Sequence, residues 1–119
     1  MSEKLSPHFS RREFACRCGC GASDVNPELL VVLEAVRAKF SKPVTVVSGL
    51  RCAARNARVG GARNSQHMAG TAADIRVAGV PPSDVATWLE QTYTGRFGIG
   101  RYASFTHIDV RPVAARWRG

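Results

Sequence analysis

The chain is short of acid. Only nine of its 119 residues are Asp or Glu, against 17 Lys or Arg, which leaves a formal net charge of +8. An excess of that size favours an acidic partner such as nucleic acid, anionic lipid or an anionic cell-wall polymer. Lysine is scarce as well, since 14 of the 17 basic residues are Arg. They are scattered, apart from Arg11-Arg12 and the Arg116/Arg118 tail. No nucleic-acid-binding motif accompanies them, so a solvated basic surface is expected and a specific nucleic-acid partner is not. Long apolar runs are missing too, which argues against membrane insertion, and the N-terminus carries no signal-peptide core. The expectation is a protein made in the cytoplasm that works outside it only after release. Neither an internal repeat nor a linker interrupts the chain. Residues 1–119 therefore read as one domain, expected to be monomeric, and a 45% apolar content can fill its core.

What is present reads as alternating helix and strand. Residues 1–26 are rich in Gly and Cys and read as irregular. Asn26-Pro27 then supplies a helix start, with Asn as cap and Pro in the first turn. Leu29, Leu30, Leu33, Val36 and Phe40 recur at helical spacing, which predicts an amphipathic helix over 27–40. Val44-Thr45-Val46-Val47 is β-branched and reads as a buried strand. A short helix near 53–58 and a strand from Ala72 to Val77 follow. Pro81-Pro82-Ser83-Asp84 opens a second good helix with Val85, Trp88 and Leu89 on its inner face. Residues 95–100 hold turns and a short strand. Residues 105–110 alternate, with Phe105, His107 and Asp109 on one face and Thr106, Ile108 and Val110 on the other. Few strands, two main helices and long loops predict an α+β fold.

Histidine is rare, and two of the three sit in informative settings. His67 and Asp74 lie in Ser65-Gln66-His67-Met68-Ala69-Gly70-Thr71-Ala72-Ala73-Asp74, and His107 lies in Phe105-Thr106-His107-Ile108-Asp109. A lone histidine is more often a surface or core residue than a ligand. Here the small residues crowding His67 and Asp74 favour the ligand reading, as close packing around a metal requires. His8 has no such setting and reads as structural or exposed. Two imidazoles and a carboxylate make a three-ligand zinc site, and a fourth position left to water marks a catalytic zinc. Asp109 shares a face with His107, so it could orient a ligand, hold a water or act as general base.

The spaced motif Ser-x-His-x-x-Gly-x-Ala-x-Asp at 65–74 resembles the signature of the zinc D-Ala-D-Ala peptidases. That family includes D,D-carboxypeptidases, vancomycin-resistance D,D-dipeptidases and phage L-alanyl-D-glutamate endolysins, and the hedgehog signalling domain shares its fold. Ser48-Gly49-Leu50-Arg51 is similar to the family's Ser-Gly-Tyr-Arg segment, and residues 105–109 to its last-ligand strand. The resemblance runs from about residue 9 to 111. It implies a small antiparallel sheet with helices packed on one side. It makes His67, Asp74 and His107 the ligands of one zinc ion and Arg51 the substrate-side cation, which would grip an oxyanion or a carboxylate. Ser65, Gln66 and Asn56 are candidate substrate contacts, though Ser65 could equally cap a turn. The implied substrate is a peptidoglycan stem peptide, and the absent leader fits a phage or prophage lysis protein or a virion-associated module. The chain departs from many relatives where they place a catalytic Glu or His shortly before the last ligand. Ser104 and Phe105 stand there, and Asp109 is the nearest acid and the candidate base.

Cys16, Cys18, Cys20 and Cys52 form an even set. Disulfides, a structural metal and reduced thiols are all open to them. We favour one disulfide from the N-terminal arm to Cys52, which would brace Arg51. Three functions follow from the sequence: a zinc peptidase of cell-wall peptides, which we favour; a zinc-containing module that binds wall or partner without turnover; and, from charge alone, a nucleic-acid binder.

Overall fold

The computed structural model describes residues 4–16, 25–61 and 65–119. A small hairpin opens it, β1 (Lys4–Ser6) against β2 (Phe9–Ser10), and runs into a 3-10 turn at Arg11–Phe14. The helix α1 (Pro27–Phe40) starts where the sequence places it. The Asn26 side chain accepts from Glu28 N at 2.8 Å, satisfying one of the first-turn donors that a helix cannot pair internally. Ser41, in the left-handed region at φ 52°, ends it. Next come β3 (Val44–Ser48), the short α2 (Ala53–Arg58), β4 (Ala72–Val77) and α3 (Pro82–Thr92). The strands β5 (Gly98–Arg101), β6 (Thr106–Asp109) and β7 (Ala115–Arg118) complete the chain.

Five strands form one sheet in the order β3-β4-β6-β5-β7. Four run antiparallel, as expected, but β7 lies parallel to β5, so the sheet is mixed. The connection explains it. Asp109 at the end of β6 and Ala115 at the start of β7 both pair with Gly98, so the chain hops across the start of β5 and runs alongside it. The sequence reading missed β7, whose Arg116 and Arg118 looked like a solvated tail, and it missed the N-terminal hairpin.

Period-two alternation divides the sheet into two faces. One carries Val46, Ile75, Val77, Ile108 and Ile99, and both long helices pack on it through Leu29, Leu33 and Val36 of α1 and Val85 and Leu89 of α3. Each such side chain contributes about 1.5–3 kcal/mol when fully buried. The other face carries Asp74, His107 and Asp109 toward the loops.

Arginine ties connections and a helix end to the sheet by donating to backbone carbonyls. Arg76 Nε reaches Ser104 O at 2.7 Å, and Arg101 Nη1 reaches Ser83 O at 3.3 Å. Arg116 donates to Phe97 O, Arg96 O and Tyr93 O at 2.7, 2.9 and 3.1 Å.

The N-terminal arm clamps the segment after β3. Leu50 N donates to Phe14 O at 2.8 Å, and Cys52 N to Cys16 Sγ at 3.4 Å. The favoured arm-to-Cys52 contact is present as proximity. The two sulfurs stand 3.7 Å apart, against about 2.05 Å in a disulfide. Cys18 and Cys20 lie outside the described residues. His8 is exposed at the surface, where its Nδ1 meets Glu34 at 2.6 Å. At Gly49 the arm passes so close that a Cβ would come within 2.7 Å of Phe14 Cα. Backbone cannot yield there as a flexible side chain would, so Gly49→Ala should cost about 1–3 kcal/mol. Chemical denaturation of the variant checks this, and an unchanged midpoint would mean that the arm does not hold its place in solution.

Candidate metal centre

The centre is built on one row of the sheet. Ser48, Asp74, His107, Gly100 and Trp117 are mutual cross-strand partners across all five strands. The second histidine arrives from a 3-10 turn, Gln66–Ala69, capped by Ser65, whose Oγ accepts from His67 N at 3.2 Å. Gly70, at φ 72°, ends that turn in a conformation that favours glycine and sends the chain into β4.

Both imidazoles are locked from behind. His67 is buried, and its Nδ1 donates to Gly49 O at 2.7 Å, so Nε2 is left bare toward Asp74 Oδ1 at 3.3 Å. His107 Nε2 donates to Asp109 Oδ2 at 2.7 Å, leaving Nδ1 toward Asp74 Oδ1 at 2.9 Å. The three donor atoms lie within 4.8 Å of one another, the one such group among the described residues. A tetrahedral ion with bonds of about 2.0–2.1 Å holds its ligands about 3.3 Å apart, so the donor set and its spacing fit a divalent metal. A carboxylate or carbonyl behind each ligating imidazole is the usual arrangement at metal centres.

Asp109 is fully buried and fully engaged. Arg111 forks onto it, Nε to Oδ1 and Nη2 to Oδ2, each at 2.7 Å, and Arg111 N adds a bond to Oδ1 at 3.2 Å. Burial pushes the Asp109 carboxyl up, but hydrogen bonds from His107 and Arg111 outweigh it and hold it well below the usual carboxylate range. Of the roles considered for Asp109, this geometry suits orienting His107. A general base needs an oxygen open to the reacting water, and both of its oxygens are taken. Glycine makes the room, because a Cβ on Gly98 would come within 2.5 Å of the Asp109 carboxylate oxygens.

Around the centre opens a cleft of about 600 Å³. Arg51, Ser65 and Gln66 line its β3 side, and Tyr102, Phe105, Trp117 and Arg111 the other. Arg51 is tied to the ligand turn through its backbone N to His67 O at 3.0 Å and its Nη2 to Ser65 Oγ at 3.5 Å. Ser65 thus caps the turn while also facing the cleft. Gln66 faces the cleft and accepts from Thr71 Oγ1 at 2.8 Å. Asn56 is buried on α2 against Gly61 and does not line the cleft, so it supports the wall instead of reaching a substrate. Sequence reasoning missed Arg111, Tyr102, Trp117 and the Gly49 carbonyl. Only Arg111 left a legible signal, two residues past Asp109 and so on the same side of an extended chain.

Proton binding at the centre has a definite sign. Burial disfavours the His107 imidazolium, yet its bonds to Asp109 and Asp74 outweigh burial and raise its pKa above 6.5. Burial likewise raises Asp74, but His107 and His67 bring it down to about 2. In the metal-free protein the His107 contribution to stability is therefore complete below pH 6.5 and lost as pH rises through the raised value. The Asp74 contribution is present above pH 3.8 and fades as pH falls toward about 2. Metal must displace the His107 proton, so zinc affinity should climb across the same interval in which the metal-free fold weakens. Urea melts at two pH values, with and without zinc, check both trends, and His107→Gln should abolish them. Asp109→Asn should weaken zinc binding about 10- to 100-fold, measured by competition with a chelating dye.

A family model described as Peptidase M15 matches residues 7–109. The chain is 37% identical over 81 residues to the "Probable peptidoglycan L,D-endopeptidase MepK" of Haemophilus influenzae. That alignment covers 64% of this chain and 43% of the relative, so the chain spans less than half of the relative's length. The family match takes in most of the chain, including His67, Asp74, His107 and Asp109, and so the metal-ready donor triad lies inside it: the protein belongs to the M15 peptidases.

Proposed function

We propose that this protein is a zinc peptidase that hydrolyses an amide bond in peptidoglycan stem peptides. The observation that carries the proposal is the donor triad, locked from behind and opening into a cleft with a guanidinium on each side. The Haemophilus influenzae relative, named for peptidoglycan endopeptidase activity, supports the substrate class and favours an endopeptidase over a carboxypeptidase. Zinc fits the two imidazoles and one carboxylate better than the harder divalent ions do. A zinc ion held by His67 Nε2, Asp74 Oδ1 and His107 Nδ1 would supply Lewis-acid polarisation and a nucleophile at neutral pH.

The chain's own residues do the rest. Arg51, fixed beside His67, offers a fork to a substrate carboxylate or to the oxygen on which charge develops. Stem peptides carry carboxylates, which suits the Arg51 guanidinium and a net charge of +8. The aromatic wall of Tyr102, Phe105 and Trp117 gives that flank an apolar surface for the uncharged parts of the peptide. Asp109 and Arg111 keep His107 in one tautomer and one orientation. Action on the wall after release, in phage lysis or from a virion, is part of the same proposal.

The test is mass spectrometry of purified peptidoglycan digested by the zinc-loaded protein, with His107→Ala as control. New peptide fragments absent from the control are expected, and they name the bond. An unchanged digest from folded, zinc-bound protein would reject hydrolysis in favour of a wall-binding module.

A further inference from the structure

Amide hydrolysis moves a proton from water to the departing amine, so the cleft needs a group that both accepts and donates one. Among the described residues lining it, the only carboxylate is Asp74, a ligand residue. Asp109 is sealed beneath His107 by the Arg111 fork. Guanidinium does not deprotonate in proteins, which removes Arg51 and Arg111. The two cleft imidazoles are committed to the metal, and the Ser65 hydroxyl caps the His67 turn. The phenol of Tyr102 is left.

Tyr102 is held for such work. Its ring stacks on Phe105, with centroids 4.4 Å apart and planes 15° apart. Its hydroxyl accepts from Trp117 Nε1 at 2.9 Å. An indole N–H only donates, so this bond uses one lone pair of the phenol oxygen and leaves its proton and its second lone pair available. Trp117 in turn lies against His107, with centroids 5.0 Å apart. Gly100 seats it, since a Cβ there would come within 2.6 Å of the indole. The phenol therefore stands one indole away from a metal ligand, on the flank across from Arg51.

We propose that the Tyr102 phenol is the proton relay of the cleft, a role that rests on the peptidase reading above. As the C–N bond breaks, the phenol gives its proton to the departing nitrogen and is left as phenolate. The phenolate then takes the proton that water's oxygen still carries in the newly formed carboxylic acid. Tyr102 ends the turnover as it began, and the proton lost by water is balanced by the one the amine gains. Trp117 is the positioning residue, because its N–H fixes the oxygen between the two partners.

The test compares zinc-loaded wild type and Tyr102→Phe on purified peptidoglycan fragments. Removing the hydroxyl should lower kcat about 100-fold while KM, zinc stoichiometry and Tm stay at wild-type values. Trp117→Phe keeps a ring and loses the donor, so kcat should fall about tenfold with KM unchanged. A readout without turnover is binding of a phosphinate peptide that mimics the tetrahedral state. Tyr102→Phe should bind it about tenfold more weakly yet bind the product peptide equally. If Tyr102→Phe keeps kcat within about threefold of an active wild type, the relay is overturned and the peptidase reading stands. Loss of zinc or of several degrees of Tm along with kcat would make Tyr102 a packing residue and overturn the relay as well. A zinc-bound wild type that cleaves no stem peptide overturns the peptidase reading and the relay together.

Discussion

The hydrogen bond from His107 to Asp109 is the constraint on which the centre depends. A carboxylate with no solvent access is costly to bury unless charged partners surround it. Asp109 meets that condition with the Arg111 fork on one side and the His107 ring on the other. In return it decides which imidazole nitrogen faces inward. With Nε2 committed, His107 can offer only Nδ1 toward Asp74. His67 reaches the complementary state by a different partner, the Gly49 carbonyl, and so presents Nε2. The two rings stand edge to face with centroids 5.1 Å apart, one carboxylate between their bare nitrogens.

Such a centre needs space, and the sheet provides it by leaving side chains out. Gly98 and Gly100 alternate on the site face of β5, the first beneath the Asp109–Arg111 fork and the second beneath the Trp117 indole. Ile99, between them, points to the core and is completely buried. One strand thus gives up its packing on one face and keeps it on the other. Gly49 does the same at the far edge, where the N-terminal arm runs against it and its carbonyl holds His67.

Much of this was legible in the residues because the signals were local. Asn26-Pro27 and the apolar spacing behind it place α1 at Pro27–Phe40, and the alternation around His107 puts it on a face with Asp109, opposite Thr106 and Ile108. The residues of the donor triad were readable from the spaced motif and the strand around His107. What escaped depends on distant pairing. Nothing near Trp117 says that it joins β5 in parallel, and nothing near Tyr102 says that an indole will hold its hydroxyl. Asp109 illustrates the remaining limit. Alternation placed it beside His107 and put Arg111 on the same side, but that Arg111 would turn back to take both of its oxygens is a matter of side-chain conformation. Asn56, on α2, is buried against Gly61 and does not line the cleft, a packing that the residues around it in the chain do not reveal.

The arginine excess has a consequence beyond net charge. Arg76 and Arg116 donate to carbonyls of the connections around the sheet, and Arg101 holds α3 through Ser83 O, Thr87 Oγ1 and the Glu90 carboxylate. A guanidinium keeps its proton at any pH the fold survives, so these ties do not loosen as the medium turns alkaline. The centre they surround contains His107, whose proton is lost as pH rises through its raised pKa. Acidity and alkalinity can therefore modulate the chemistry at the row of Asp74 and His107 while the frame that presents it keeps its shape. Lysine, with a point charge and a titratable amine, would offer neither the several donors nor that indifference to pH.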